Sequence, residues 1–216
     1  MVRANTHSHY KDEMELNIAE WTEKKVNIVE TTIELVGKQG LEKLTTAKIA
    51  RVAGVGEGTI YRHFESKEEL IDIAAEFSAS VIREHIIKNY KPQMPVELQF
   101  MGFCRDFLES GQNNQSFHEY LFHYMKSPQG FAYRKTMYPQ LNEAPATAKP
   151  FFYPLNAILT QARQEEHVKD VPLQVLAVMT ISSLVFVVGD SAAGLLKLDH
   201  KLIESIITAC WDTVRI

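Results

Sequence analysis

Between Gly40 and Leu70 the chain carries two short helical segments joined by a tight turn, and this arrangement limits the folds open to it more than any other feature. Thr45 stands where a helix N-cap is expected, Ile49, Ala50 and Ala53 give a short apolar face, and Gly54 stops the segment. Gly56 is placed to cap a second helix, whose Ile60 and Phe64 lie one turn apart and point inward. Ser66-Lys67-Glu68-Glu69 then opens a longer helix with an S-x-x-E capping box. The preceding stretch supplies a third apolar face. Val26, Val29, Ile33 and Val36 share one side of a helix that ends near Gly37 to Gly40.

If Ile60 and Phe64 face the core, then Glu57, Gly58, Thr59, Tyr61, Arg62 and His63 lie wholly or partly outside it. Such side chains can donate to phosphate, accept from cytosine or pack on a thymine methyl. Local charge agrees. Lys38, Lys43, Lys48, Arg51, Arg62 and Lys67 outnumber Glu42, Glu57 and Glu65 by three, inside a 216-residue chain of net charge −4. The overall acidity excludes an indiscriminate basic coat for nucleic acid but leaves room for this patch. Helix N-termini at Thr45 and Ser66 add backbone N–H groups suited to phosphate oxygens.

The run GLEKLTTAKIARVAGVGEGTIYRHFESKEEL resembles the TetR/AcrR family of bacterial regulators, with a likeness that extends from Val26 to about Ala75. Thr45-Thr46, Ile49-Ala50, Ala53-Gly54-Val55, Gly58-Thr59, Tyr61, Phe64 and Ser66-Lys67-Glu68 carry it without a gap. The resemblance implies phosphate contacts from Thr45, Thr46, Lys48, Tyr61, His63 and Lys67, and base-edge readout from Glu57, Gly58, Thr59 and Arg62. Two positions depart from the family pattern. Gly56 replaces a frequent Ser, and Glu57 stands where Lys or Arg is common; a carboxylate there suits the helix dipole and repels phosphate.

Beyond residue 75 the reading is again of helices. Strand signals are scarce, and breaks near Pro92, Gly111–Gln115, Ser127-Pro128, Asn142–Pro150 and Asp170-Val171-Pro172 imply eight to ten helices in all. Aromatic residues crowd between Phe100 and Tyr153. Packing of a large core accounts for this, and so does an aromatic-lined cavity for a small molecule, which the family resemblance favours. Candidate lining residues are Phe103, Phe107, Phe117, Tyr120, Tyr124, Phe152 and Phe186, with Arg105 and His123 as polar anchors. His118-Glu119-Tyr120-Leu121-Phe122-His123 resembles a zinc-protease helix only superficially. Two ligand histidines need a spacing of four, and five residues separate these, turning their rings well apart. Surface positions, or a ligand anchor, are expected for them.

Two late helices offer a dimer face. One is expected over 151–167 with Leu155, Ile158, Leu159 and Ala162 in register. The next has Asp170 as its expected cap and Pro172 in its first turn, and carries Leu173, Ala177, Thr180, Ile181, Leu184 and Val188. Its apolar run, Val175 to Gly189, is short of the roughly 20 residues a membrane-spanning helix needs, so burial in a core or subunit interface is expected. Met1 to Glu20 is polar and lacks the apolar centre of a signal peptide. Two distant cysteines, Cys104 and Cys210, argue against a disulfide framework and for a reducing compartment.

The expected protein is therefore all-α. It has a tail over 1–20, a helix-turn-helix DNA-binding domain over 21–68, and a helical effector-binding and dimerisation domain over 69–216. It is expected to be a cytoplasmic, homodimeric repressor released from a double-stranded DNA operator by a small apolar or aromatic effector, with no cofactor, metal or membrane partner. A DNA-bound scaffold without an effector, an activator, and a metal-dependent hydrolase using His118, Glu119 and His123 remain open at this level.

Overall fold

The first apolar stripe becomes α1, Glu23–Gln39, in the computed structural model, which describes residues 18–137 and 154–216. Thr22 caps it by accepting from the Lys25 N–H, and Gly40 closes it at φ 78°, a region that side chains with a Cβ rarely adopt. Ile28, Val29, Ile33 and Val36 are buried, while Val26 is half-buried at the edge of the stripe. A single 3-10 turn, Leu41–Lys43, leads to α2, Thr46–Ala53, then α3, Glu57–His63, and α4, Lys67–Ile87. Their N-caps are Thr45, Gly56 and Ser66, as the spacing predicts. Gly54 ends α2 in the left-handed region, at φ 68°. Ile60 and Phe64 are 0% and 2% exposed, which pins α3 to the core through one edge and turns its other side to solvent.

The larger part is built around α5, Val96–Asn113. It is followed by α6, Gln115–Lys126, α7, Pro128–Met137, α8, Leu155–Gln164, α9, Leu173–Ala192, and α10, His200–Val214. α5 packs on α4, α6, α8, α9 and α10, so it is the axis of this bundle. The two parts are joined twice. α4 runs from the turn after α3 into the bundle, and α6 packs on both α1 and α4. No strand occurs among the described residues; an isolated bridge between Val168 and Arg215 ties the segment after α8 to the C-terminal end.

Several boundaries differ from the spacing argument. α4 ends at Ile87, two residues before Asn89. Pro172 itself stands at the N-cap of α9, and Asp170 lies outside the helix, 3.4 Å from Arg163. α9 is also longer than its apolar run. It continues to Ala192 and reaches 20 residues, so by length and composition it could cross a membrane. One of its faces is committed to the bundle, through Leu176, Ala177, Thr180, Leu184 and Val188. The approach to α5 is close. A Cβ built on Gly111 would stand 2.4 Å from Val188 Cγ2, so only hydrogen fits there.

Candidate nucleic-acid interface and cavity

The four N-terminal elements leave one surface of α2 and α3 free. None of the ten residues assigned to DNA contact is buried. Thr45, Glu57, Gly58, Tyr61 and Arg62 are exposed, and Thr46, Lys48, Thr59, His63 and Lys67 are partly so. Tyr61 is 54% exposed although it neighbours the fully buried Ile60, because successive helical residues point about 100° apart. The surface is organised by side-chain bonds. Thr46 donates its hydroxyl to the Glu57 carboxylate, linking the first turns of α2 and α3, and the Tyr61 hydroxyl lies 3.5 Å from Thr46 Oγ1. Arg62 donates to Thr59 Oγ1 at 2.8 Å, and Lys48 donates to Gln39 Oε1. Thr45 Oγ1 accepts from the Lys48 N–H at 3.2 Å. Glu57 is thus a bonded part of the helix pair, not a free carboxylate.

In the bundle the aromatic candidates separate. Tyr120 and Tyr124 are buried and serve as struts: Tyr120 donates to the Ile71 carbonyl at 2.7 Å and Tyr124 to Asp72 Oδ1 at 2.9 Å. Phe117 packs edge-on against Phe77 of α4. Phe107 stands at right angles to His118, with ring centres 5.0 Å apart. Phe186 is 59% exposed on α9 and meets only the edge of Phe122 among the ring contacts described, so it does not line an interior space. Arg105 clamps Glu204 of α10 with two bonds of 2.8 and 2.9 Å, which commits its guanidinium. His123 lies 3.7 Å from where a Cβ on Gly40 would sit, at the junction with α1. Phe152 is outside the described residues.

Of the named candidates, Phe103 lines a cavity of about 320 Å³ between the end of α4, α5 and Pro154. Its other walls are Ile86, Asn89, Tyr90, Lys91, Met94, Leu98, Gln99, Gly102 and Asp106. Aromatic counting missed these residues. A sequence signal exists, because the polar Gln99 and Asp106 fall at i and i+7 on the same buried face of α5 as the apolar Phe103. Burial raises the Asp106 pKa, opposed in part by a hydrogen bond from Asn89.

His118 proves to be interior rather than superficial. Its Nε2 is 3.1 Å from Ser110 Oγ, and burial pulls its pKa down to about 4. Glu119 instead packs against Gly37, and His123 lies near Gly40, so the three groups of the hydrolase reading do not converge. Among the described residues no group of His, Cys, Asp and Glu could hold a metal ion.

The dimer candidates also need revision. Leu155, Ile158, Leu159, Ala162, Ala177, Thr180, Leu184 and Val188 are buried in the chain's own bundle and offer no surface to a second copy. Leu173 and Ile181 are half-buried. The apolar groups that do face outward on α9 are Val178, Met179 and Phe186, beside Ser182 and Gly189. Periodicity alone identified a helix needing cover on both sides but could not say which stripe its own chain covers.

Comparison with known proteins accords with both parts. Residues 28–73 match the family described as bacterial regulatory proteins, tetR family, and residues 95–215 match the tetracyclin repressor-like, C-terminal domain. A Bacillus subtilis protein described as an uncharacterized HTH-type transcriptional regulator, YerO, is 42% identical over 55 residues, 26% of this chain and 19% of that one. The nucleoid occlusion factor SlmA of Glaesserella parasuis is 28% identical over 93 residues, 43% of this chain and 46% of its own length. The matched segment thus spans less than half of either relative. A TetR family transcription regulator from Marinobacter aquaeolei superposes with a TM-score of 0.72 at 18% identity, covering 89% of this chain and 95% of that one. That likeness is one of fold.

Proposed function

The chain belongs to the TetR family of bacterial transcriptional regulators, and on that premise we propose that it is a cytoplasmic homodimeric repressor released from its operator by a small effector. The observation that carries this reading is the division of α3 into two sides. Ile60 holds one against the core, and Tyr61 and Arg62 stand exposed on the other, in the geometry that lets a second helix enter a major groove. In this reading Thr45, Thr46, Lys48, Tyr61, His63 and Lys67 hold phosphates, while Glu57, Gly58, Thr59 and Arg62 meet base edges. One head reads a half-site, so two copies joined through the outward face of α9 present two heads to successive grooves, with reading helices roughly 34–36 Å apart. The effector occupies the cavity beside Phe103 and favours a different spacing of the heads. It shifts the equilibrium by its differential affinity for the two states.

Selection of bound fragments from genomic DNA tests the proposal. A pseudo-palindromic site with half-sites about one helical turn apart is the expected result, followed by duplex binding that survives heparin competition. Failure of every duplex to outcompete heparin would refute it. The genes beside the selected fragments, and the direction in which their transcription changes when the chain is deleted, separate repression from activation.

A further inference from the structure

α5 and α10 pack against one another in opposite directions, and two contacts set their register. Phe100 meets Trp211 with ring centres 5.1 Å apart, and further along α5 Arg105 clamps Glu204, which stands earlier on α10. Cys104 and Cys210 fall between these two contacts, one on each helix, and a hydrogen bond joins their thiols. They are 0% and 6% exposed, and Phe100, Leu108, Ile207 and Trp211 beside them on the two helices are buried as well. A single buried cysteine needs no account beyond packing, where it behaves as a small apolar group. Two that point at one another from helices far apart in sequence meet the geometric condition for a disulfide, which most cysteine pairs fail. Both are free thiols in this structure.

The pair is not symmetric. Cys104 lies fully inside, and burial holds its thiol well above the ordinary range, so it keeps its proton and donates to Cys210. That bond pulls the Cys210 thiol below its ordinary value against the opposing effect of burial. Cys210 also keeps the only exposed edge of the two. The more acidic and more accessible thiol is the one that a small oxidant meets first.

We propose that Cys210 and Cys104 form a peroxide-reactive dithiol, in which Cys210 is oxidised first and Cys104 closes a disulfide that ties α10 to α5. The Cys210 thiolate attacks one peroxide oxygen, the O–O bond breaks, and the departing hydroxide takes a proton to become water, leaving Cys210 as the sulfenic acid. Cys104 sulfur then attacks Cys210 sulfur. The S–O bond breaks, and hydroxide leaves with the Cys104 proton as a second water. Two thiols are oxidised and one peroxide is reduced. The linked helix α5 also carries Phe103 and Asp106 in the cavity wall. That the link changes operator affinity rests on the regulatory reading above.

Hydrogen peroxide added to the reduced full chain, followed by alkylation in denaturant and intact mass measurement, tests the proposal. The parent should lose the mass of two hydrogens, take up no alkyl group, run as a single chain on a non-reducing gel and recover both thiols in dithiothreitol. Cys104→Ser should stop at the Cys210 sulfenic acid, trapped as a dimedone adduct. Cys210→Ser should leave Cys104 alkylatable, with thiol loss about tenfold slower or more. Peptide mapping of the oxidised parent, which should show Cys104 linked to Cys210, keeps the test open if a variant does not fold. Two alkylatable thiols after peroxide, oxygen gained in place of hydrogen lost, or a dimedone adduct on Cys104 in place of Cys210 would overturn the proposal. Duplex binding is read on the same preparations before and after peroxide. A disulfide that forms without changing duplex affinity refutes the regulatory consequence alone, and a chain that forms it but binds no duplex in either state refutes the DNA-binding reading alone.

Discussion

Tyr124 donates its hydroxyl to Asp72 at 2.9 Å, one turn along α6 from Tyr120, which donates to the carbonyl of the adjacent Ile71 at 2.7 Å. Two consecutive turns of α6 are thereby fixed to two consecutive residues of α4, four and five positions after that helix begins. Other side chains of α6, Glu119 and His123, meet the end of α1 near Gly37 and Gly40. A shift of α6 relative to the bundle therefore cannot leave the head where it is.

Tyr124→Phe removes the outer of the two bonds while keeping the ring. Asp72 is exposed and regains water, so the expected loss of stability is about 1 kcal/mol, read as a lower urea midpoint at unchanged slope. A variant that melts with the parent would show that the bond adds nothing to the joint.

Tyr61 and Arg62 are adjacent and both exposed, yet they should fail differently. Tyr61→Ala should weaken binding to every duplex by a similar factor, because a phosphate contact carries no sequence information. Arg62→Ala should relax choice at particular base pairs, at about 1–3 kcal/mol for the pair concerned. Equal losses across a panel of operator variants for both changes would contradict the split.

Glu57 brings a negative charge to a surface that is proposed to meet phosphates, and its bond from Thr46 holds the carboxylate in place. Glu57→Gln retains an acceptor and removes the charge. Affinity for duplexes of unrelated sequence should rise, by up to about 1 kcal/mol if a phosphate comes within 4 Å in water, and the ratio of operator to non-specific affinity should fall. Filter binding at two salt concentrations measures both. An unchanged ratio would mean that Glu57 serves the helix pair and does not take part in discrimination.

The head was legible in the sequence because its constraints are local. Thr45, Gly54, Gly56 and Ser66 are capping residues acting over three or four positions, and Ile60 with Phe64 needs one helical turn. The bundle was legible as helices but not as surfaces. Leu155, Ile158 and Leu159 make the same apolar pattern whether they meet their own chain or a second copy, and long-range packing on α5 decides the matter. The cavity was hidden for a related reason. Aromatic side chains such as Tyr120 and Phe107 fill space in a core, so counting them locates packing, whereas the groups that mark the open site are Gln99 and Asp106, polar residues on a buried face.

His118 makes stability depend on pH. Burial holds its pKa at about 4, against 6.5 for an ordinary histidine, so below neutrality the unfolded chain takes up a proton that the folded chain refuses. Stability from this group is complete above about pH 6.5 and is lost as the pH falls toward 4, with about 2 kcal/mol gone by pH 5. His118→Gln retains a group able to bond Ser110 and removes the titration. Urea melts between pH 7 and pH 5 should therefore fall less steeply for the variant. Parallel pH profiles would place the source of acid sensitivity elsewhere.

Val178 and Leu184 lie on the same helix but face different surroundings. Val178 is 50% exposed and Leu184 fully buried. If α9 pairs two copies through its outward face, Val178→Glu puts a charge into that interface while leaving the protomer's core untouched. The variant should fold with the parent's helical content, sediment as a monomer and bind a full operator much more weakly, since each head then holds a half-site alone. Leu184→Ala opens a cavity inside the protomer and should cost about 2–5 kcal/mol of stability. Sedimentation equilibrium paired with thermal melts distinguishes the two effects. A Val178→Glu chain that still sediments as a dimer would exclude this face of α9 as the contact.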